Sequence, residues 1–353
     1  MSNSLVLQDD ILVQAQQALL DQGQGVPFCA NKLPISPSGA ICLYEKGWFP
    51  WKGLPYPHEH ARLGRYLAQL GHMKEAQRLA HFQRAMLDHK GCPIRSVFCQ
   101  EGKVSFTELK EVTEAFFALC LTTDIVLPVM DPDLGFFRMG DDKTTALITA
   151  AACRTGLGYF AYRDAAVITF GPQLTTVGDC SGFGMAGRPQ DLFFMHQKDV
   201  LECRYRNRLA CVHERSTGIS FLSDAGYTGL WIDVEHTMQD TKLRTLAKVL
   251  GPGDASELSW VFFGQAKTCV VAKSHVLSSN SLDRYRGPIQ SVEMRGHEGS
   301  VLIAVNTPGD MEVIPLAGDE SFWGSDFLVV LRPQNRILDC EFTRHERAVN
   351  RSS

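Results

Sequence analysis

In the first half of the chain apolar residues recur every three or four positions, and in the second half at every other position. Asp9 or Asp10 caps a first expected helix, whose Ile11, Ala15 and Leu19 repeat every fourth residue before Gly23 stops it. Leu63, Leu67 and Leu70 stripe a second helix, with Pro57 at its start, where the missing N–H costs nothing, and Gly71 at its end. A third runs from Met73 to His89, with Ala76, Leu79, Phe82 and Met86 on one face. The short link at Gly71 folds it back on the second as an antiparallel hairpin. Ser105 and Glu108 make a capping box ahead of Leu109, Val112, Phe116 and Leu119. A fifth helix is expected from Asp142 through Leu147 and Ala151 to Gly156. The segment before it, DIVLPVMDPDLGFFRMGDD, reads as an ordered loop from its prolines and glycines.

Past Gly156 the period changes to two. Leu230, Ile232 and Val234 alternate with Trp231, Asp233 and Glu235, and GYFAYRDAAVITF, LSWVFFG, TCVVAKSHVL, SVLIAVN, MEVIPL, FLVVLR and RILDCEF are strand-like runs between turn signals. The expected fold class is α+β: an all-helical domain over residues 1–156, an antiparallel β-sandwich over 157–345 and a polar tail over 346–353.

Composition fits a folded protein with two cores, since 353 residues carry 44% hydrophobic and 21% charged side chains. A net charge of -4 gives no general attraction to nucleic acid or an anionic membrane, and no apolar run is long enough to span a bilayer. The first twenty residues lack the features of a secretory signal, so the expected location is cytoplasmic, or outside by a route without a cleaved N-terminal signal. The 11 cysteines sit in apolar settings, which suggests buried free thiols; without a Cys-x-x-Cys pair or another zinc spacing, no metal is expected. No cofactor is expected either. The string GFGMAG formally matches a dinucleotide-binding loop, but RPQDLFFM follows where a helix is required, so these glycines are assigned to turns or a bulge.

Candidate chemistry concentrates in EKGWFPWKGLPYPHEHARLGRYLAQLG, residues 45–71. Trp48, Phe49, Trp51 and Tyr56 on a helix-entry loop form a wall suited to stacking on sugar rings, or else they cover the helical core. His58 and Glu59 open the helix below that wall and could transfer protons, although a helix N-terminus favours a carboxylate for its own sake. His213 with Glu214, and Glu235 with His236, fall at the ends of expected strands, where they face either a cleft or solvent.

The passage GYFAYRDAAVITFGPQLTTVGDCSGFGMAG resembles the opening of the β-sandwich domain in heparinase II/III-like polysaccharide lyases, with Arg163, Gly171 and Gly178 at similar positions. LAQLGHMKEAQRLAHFQRAMLDHKG resembles one hairpin of their helical toroid. The resemblance implies a partial α/α toroid-like domain before the sandwich, and a carbohydrate-active protein of lyase or hydrolase type with a cleft between the two. Tyr56, His58 and Glu59 would then be the proton-transfer candidates, Trp48 and Trp51 the stacking wall, and Arg62 or Arg65 the holder of an acidic sugar. Where such lyases carry a histidine and an aspartate, this chain reads GDCSGFG, so Asp179 alone could stand in. The alternative is a non-catalytic binding or scaffolding protein that engages a glycan or protein partner through the same aromatic surface.

Overall fold

A computed structural model of the chain describes residues 43–44, 52–53, 57–92, 94, 106–120, 127–131, 135–150, 157–174, 180–215, 218–220, 227–239, 242–252, 258–319 and 324–346. Strands β1 (Leu43–Tyr44) and β2 (Lys52–Gly53) pair as a small ribbon. Three helices follow among the described residues: α1 (Pro57–Gln69), α2 (Met73–Ala85) and α3 (Phe106–Cys120). Next are β3 (Val129–Asp131), β4 (Phe136–Gly140), β5 (Thr144–Thr149), β6 (Gly158–Tyr162) and β7 (Ala165–Leu174). Beyond them run β8 (Cys180–Gln197), β9 (Val200–Arg215), β10 (Gly218–Ser220), β11 (Tyr227–Gln239) and β12 (Lys242–Leu250). The chain continues through β13 (Leu258–Gln265), β14 (Thr268–Val271), β15 (His275–Ser278), β16 (Tyr285–Pro288) and β17 (Val292–Arg295). It closes with β18 (Gly299–Val305), β19 (Gly309–Asp319), β20 (Ser325–Pro333) and β21 (Ile337–Glu346).

Among the described residues every pairing is antiparallel, and two large sheets result. The first has the order β3-β4-β5-β6-β7-β13-β20-β19-β16. The second runs β8-β9-β11-β12-β21-β18-β17-β14-β15, with β10 on the far end of β9. The pair Gln173 and Gly182, between β7 and β8, joins them at one margin. Their inner faces meet in the main core, where Phe342 of the second sheet lies among Phe170, Phe160 and Phe262 of the first, at ring-centroid distances of 4.7, 5.9 and 6.0 Å.

The two sheets differ in their other faces. Along β12 and most of β21 every second residue is buried, the pattern of a sheet with one wet side. Along β5, β6 and β13 nearly every residue is buried, so the first sheet is covered twice. Its outer cover over β4 to β7 is α2, whose Phe82 and Ala85, with Met86 just past its end, pack on Phe136, Leu147, Tyr159, Ala161 and Ala166. Helices α1 and α3 then close over α2 through Leu63, Leu67, Leu79 and Phe116. The layers are therefore helices, first sheet, second sheet.

This arrangement corrects the expected fold class: the described chain is mostly strand and contains no all-helical toroid-type domain. Its helix-to-strand change falls between Cys120 and Val129, ahead of residue 157. The fifth expected helix is strand β5, because TTALIT is rich in β-branched residues and buries both faces, which blurs its period. The expected loop before it contains β3 and β4. Helices α1, α2 and α3 stand where the second, third and fourth were expected, whereas the first, over residues 9–23, lies outside the described residues. Of the glycines of GFGMAG, Gly182 and Gly184 lie in regular register within β8, opposite Val212 and Ala210, whereas Gly187 falls in the register irregularity between Ala186 and Gln190, where a bulge was expected. Of the polar tail only Glu346, the last residue of β21, is described.

At one end of the sandwich the β6–β7 turn is tied to the β17–β18 turn. The Asp164 carboxylate accepts the backbone N–H groups of His297, Glu298 and Gly299, and a Cβ at Gly296 would run into that carboxylate. Burial alone would raise the Asp164 carboxyl, but these donors outweigh it and hold it below its ordinary range.

Close packing of α1 on α3 is directly testable, because a Cβ at Gly64 would overlap the ring of the fully buried Phe116. Gly to Ala inside a helix ordinarily gains about 0.8–1.0 kcal/mol, whereas overpacking costs about 1–3 kcal/mol. Urea unfolding of Gly64→Ala should therefore show a net loss of stability, and a net gain would contradict the packing.

Candidate functional site

The expected site residues divide sharply. Trp48, Trp51 and Tyr56 lie outside the described residues, while His58, Glu59, Arg62 and Arg65 belong to α1. Of these four only the Arg65 side chain is described, and it is half-buried. Pro57 occupies the first helical position, as its fixed φ favours.

Polar chemistry collects instead where the turn after α2 meets the first sheet. Arg138, Leu147 and Tyr159 stand side by side on β4, β5 and β6, on the face that α2 covers. Arg138 is 4% exposed and donates to the carbonyls of Arg84 and Ala85, at 3.0 and 3.2 Å, which closes the C-terminus of α2 with a cation. The Asp88 carboxylate accepts the backbone N–H groups of Lys90 and Cys92, at 2.8 and 2.9 Å, and the Tyr159 hydroxyl donates to it. Burial lowers the Arg138 guanidinium to about 10 against the opposing pull of Asp88, so it stays charged at neutral pH. Burial likewise holds the Tyr159 phenol well above its ordinary range. A permanently charged arginine and a permanently protonated tyrosine can bind and orient, but neither can exchange a proton near neutrality.

His89 extends this network to the sandwich end. Its Nε2 lies 3.0 Å from the Arg163 carbonyl and must donate to it, while its Nδ1 lies 3.2 Å from the Thr145 hydroxyl. Desolvation lowers its pKa, with Asp88 opposing. Arg163, one of the positions named by the lyase resemblance, occupies the β6–β7 turn with φ 51° and forms ion pairs with Glu298 and Glu346 at 3.5 and 3.4 Å. It braces the turns at this end of the sandwich.

The other histidine pairs also resolve. His236 lies inside β11, fully buried, rather than at a strand end. Its Nδ1 is 2.9 Å from the Thr245 hydroxyl and its Nε2 3.3 Å from the Tyr205 hydroxyl, which donates in turn to the Thr149 carbonyl at 3.3 Å. Burial lowers this imidazole to about 3. Its neighbour Glu235 faces outward and pairs with Arg204 at 3.3 Å. His213 and Glu214 lie on β9 opposite Ser220 and Ile219. Thus His89 and His236 each have both ring nitrogens engaged and serve as fixed struts.

Among the described residues no group of three His, Cys, Asp or Glu side chains could hold a metal ion. Cys120, Cys203, Cys269 and Cys340 are buried free thiols whose pKa values burial raises, which suits packing rather than nucleophilic attack. The sequence reading missed Arg138, Asp88 and Tyr159. The available signal was an arginine within FFRMG, a run otherwise apolar enough to be buried.

No protein-family model and no curated protein matches the chain. Among solved structures it is similar to a protein from Escherichia coli K12 assigned as an aldose 1-epimerase, at a TM-score of 0.33 and 9% identity, over 60% of this chain and 99% of that one. The lyase resemblance accordingly rests on the sequence alone.

The buried imidazole gives a pH test. With a folded pKa near 3 and an unfolded value near 6.5, His236 contributes stability that is complete above about pH 6.5 and declines as the pH falls toward about 3. His236→Gln should therefore flatten the dependence of the urea midpoint on pH between those limits. An unchanged slope would mean that His236 is not buried as a neutral group.

Proposed function

We propose that the protein binds acidic carbohydrate through the half of α1 that carries positions 58, 59, 62 and 65. What supports this is the division of α1 into two halves. Ala61, Leu63, Gly64 and Leu67 are buried against α2 and α3. At 3.6 residues per turn, positions 58, 59, 62 and 65 fall on the opposite half. One half of the helix thus meets most of the demand of the core; on the other half Tyr66 also packs against it, which leaves positions 58, 59, 62 and 65 for a ligand. A cleft between helices and sandwich is not available along α2, whose contact with the first sheet is tightly packed. In this reading Trp48 and Trp51 stack on sugar rings, Arg62 and Arg65 hold a carboxylate or sulfate, and Tyr56, His58 and Glu59 are the groups able to move a proton.

A second reading, binding without turnover, is favoured by a specific feature: the segment GDCSGFG supplies no histidine at the lyase-like position. In addition, His89 and His236, the sandwich-side imidazoles with described partners, are fully engaged.

Titration with acidic oligosaccharides, followed by tryptophan fluorescence, separates the possibilities. The wild type should show a saturable change that Trp51→Ala abolishes and Arg62→Ala/Arg65→Ala weakens by about tenfold, roughly 1.4 kcal/mol, with the melting temperature retained. If Trp51→Ala instead costs about 3–5 kcal/mol of stability, the ring is part of the core and the proposal fails. Product formation abolished by Glu59→Gln with binding intact would identify an enzyme; binding without product would identify the second reading.

A further inference from the structure

One carboxylate, that of Glu312 on β19, is shared by three arginines, and we propose that these guanidiniums form a second binding site, for the oxyanions of an acidic polysaccharide. Met311 and Val313 point into the core between the sheets, so Glu312 stands on the opposite face of the first sheet. Its Oε1 accepts from Arg284 Nη1 at 3.3 Å and Arg286 Nε at 3.0 Å, and its Oε2 lies 3.8 Å from Arg332 Nη2. The Glu312 side chain is 10% exposed, while those of Arg284, Arg286 and Arg332 are 52%, 68% and 47% exposed. A nearly buried anion thus holds together an exposed rim of cations.

That anchor neutralises one of three positive charges and engages only part of the donor set, since each guanidinium carries five N–H groups. The remaining forks are oriented by the shared carboxylate, which lowers the entropy lost when they grip a planar carboxylate or a sulfate. β16 and β20 flank β19, with Arg286 opposite Glu312 and Arg332 opposite Asp310, two residues along; neighbouring strands lie about 4.8 Å apart, so the two arginines spring from strands about 10 Å apart. Such a span suits a chain that carries repeated anions better than one small ion. Asp283 and Asp310 stand exposed at the rim and form no ion pair among the described residues, which keeps the attraction short-ranged and sensitive to salt. The site shares no residue with α1, and only the saccharide nature of its ligand rests on the reading given above.

Chromatography of the full chain on immobilised polyuronate, dextran sulfate and neutral dextran tests the inference and tells carboxylate from sulfate. Wild type should be held on one or both charged resins, released by salt, and not held on neutral dextran. Arg284→Ala/Arg286→Ala/Arg332→Ala should lower affinity for the retaining polymer about tenfold or more, and Arg286→Ala alone should lower it partly if the triple variant folds poorly. Because α1 is itself proposed to hold acidic saccharide, the same comparison is made in the Trp51→Ala/Arg62→Ala/Arg65→Ala background: retention there that the Arg284, Arg286 and Arg332 substitutions remove belongs to this site, while tryptophan fluorescence reports on α1, so failure of the α1 site and failure of this one are distinguishable. In that background, retention unchanged by the three arginine substitutions, or wild type passing through both charged resins, would overturn the proposal.

Discussion

A β-sheet that is apolar on both faces cannot remain an outer layer against water, and this constraint organises the molecule. Phe137, Ile148, Phe160 and Val167 need one cover, and Phe136, Leu147, Tyr159 and Ala166 on the same strands need another. The second sheet supplies the first cover and α2 the second. Fully burying one such side chain is worth about 1.5–3 kcal/mol. Helix and sandwich are therefore bound by the same kind of force that holds the sandwich together.

Polar groups are placed where that constraint permits them. Arg138 lies beneath α2, and what makes its burial tolerable is that it closes the helix C-terminus and faces Asp88. The open side of the second sheet carries instead a ladder of exposed ion pairs: Arg206 with Asp233 at 2.5 Å, Arg204 with Glu235 at 3.3 Å and Arg244 with Asp339 at 3.2 Å. Exposed pairs contribute about 0–1 kcal/mol each, so the ladder favours register and solubility more than stability. Its alternation with buried residues along β12 is the counterpart of the doubly buried strands opposite.

Legibility in the sequence follows the same division. Strands with one wet face, such as β11, show a clean period of two and were readable. So were α1 and α2, whose stripes end at Gly71 and ahead of Gly91. Strand β5 was not, because burial on both faces removes the alternation, and a short apolar run of TTALIT also fits a buried helix segment. Strands β3 and β4 were obscured by the prolines and glycines around them. The site was less legible than the fold. His58, Glu59, Arg62 and Arg65 do share one helix, but the polar cluster of Asp88, Arg138 and Tyr159 joins residues 21 to 71 positions apart, which no local pattern announces.

Helix α2 is an integral cover of the first sheet, so that the sheet's outer face is never exposed while the sandwich stands. Native-state hydrogen exchange tests it most directly, by comparing the opening free energies of amides in α2 with those in β4, β5 and β6. These elements should open together, with matching free energies that fall in parallel as urea is added. Exchange of α2 at a much lower free energy, with β4 to β6 still protected, would show that the sheet stands without its helical cover and would contradict the account.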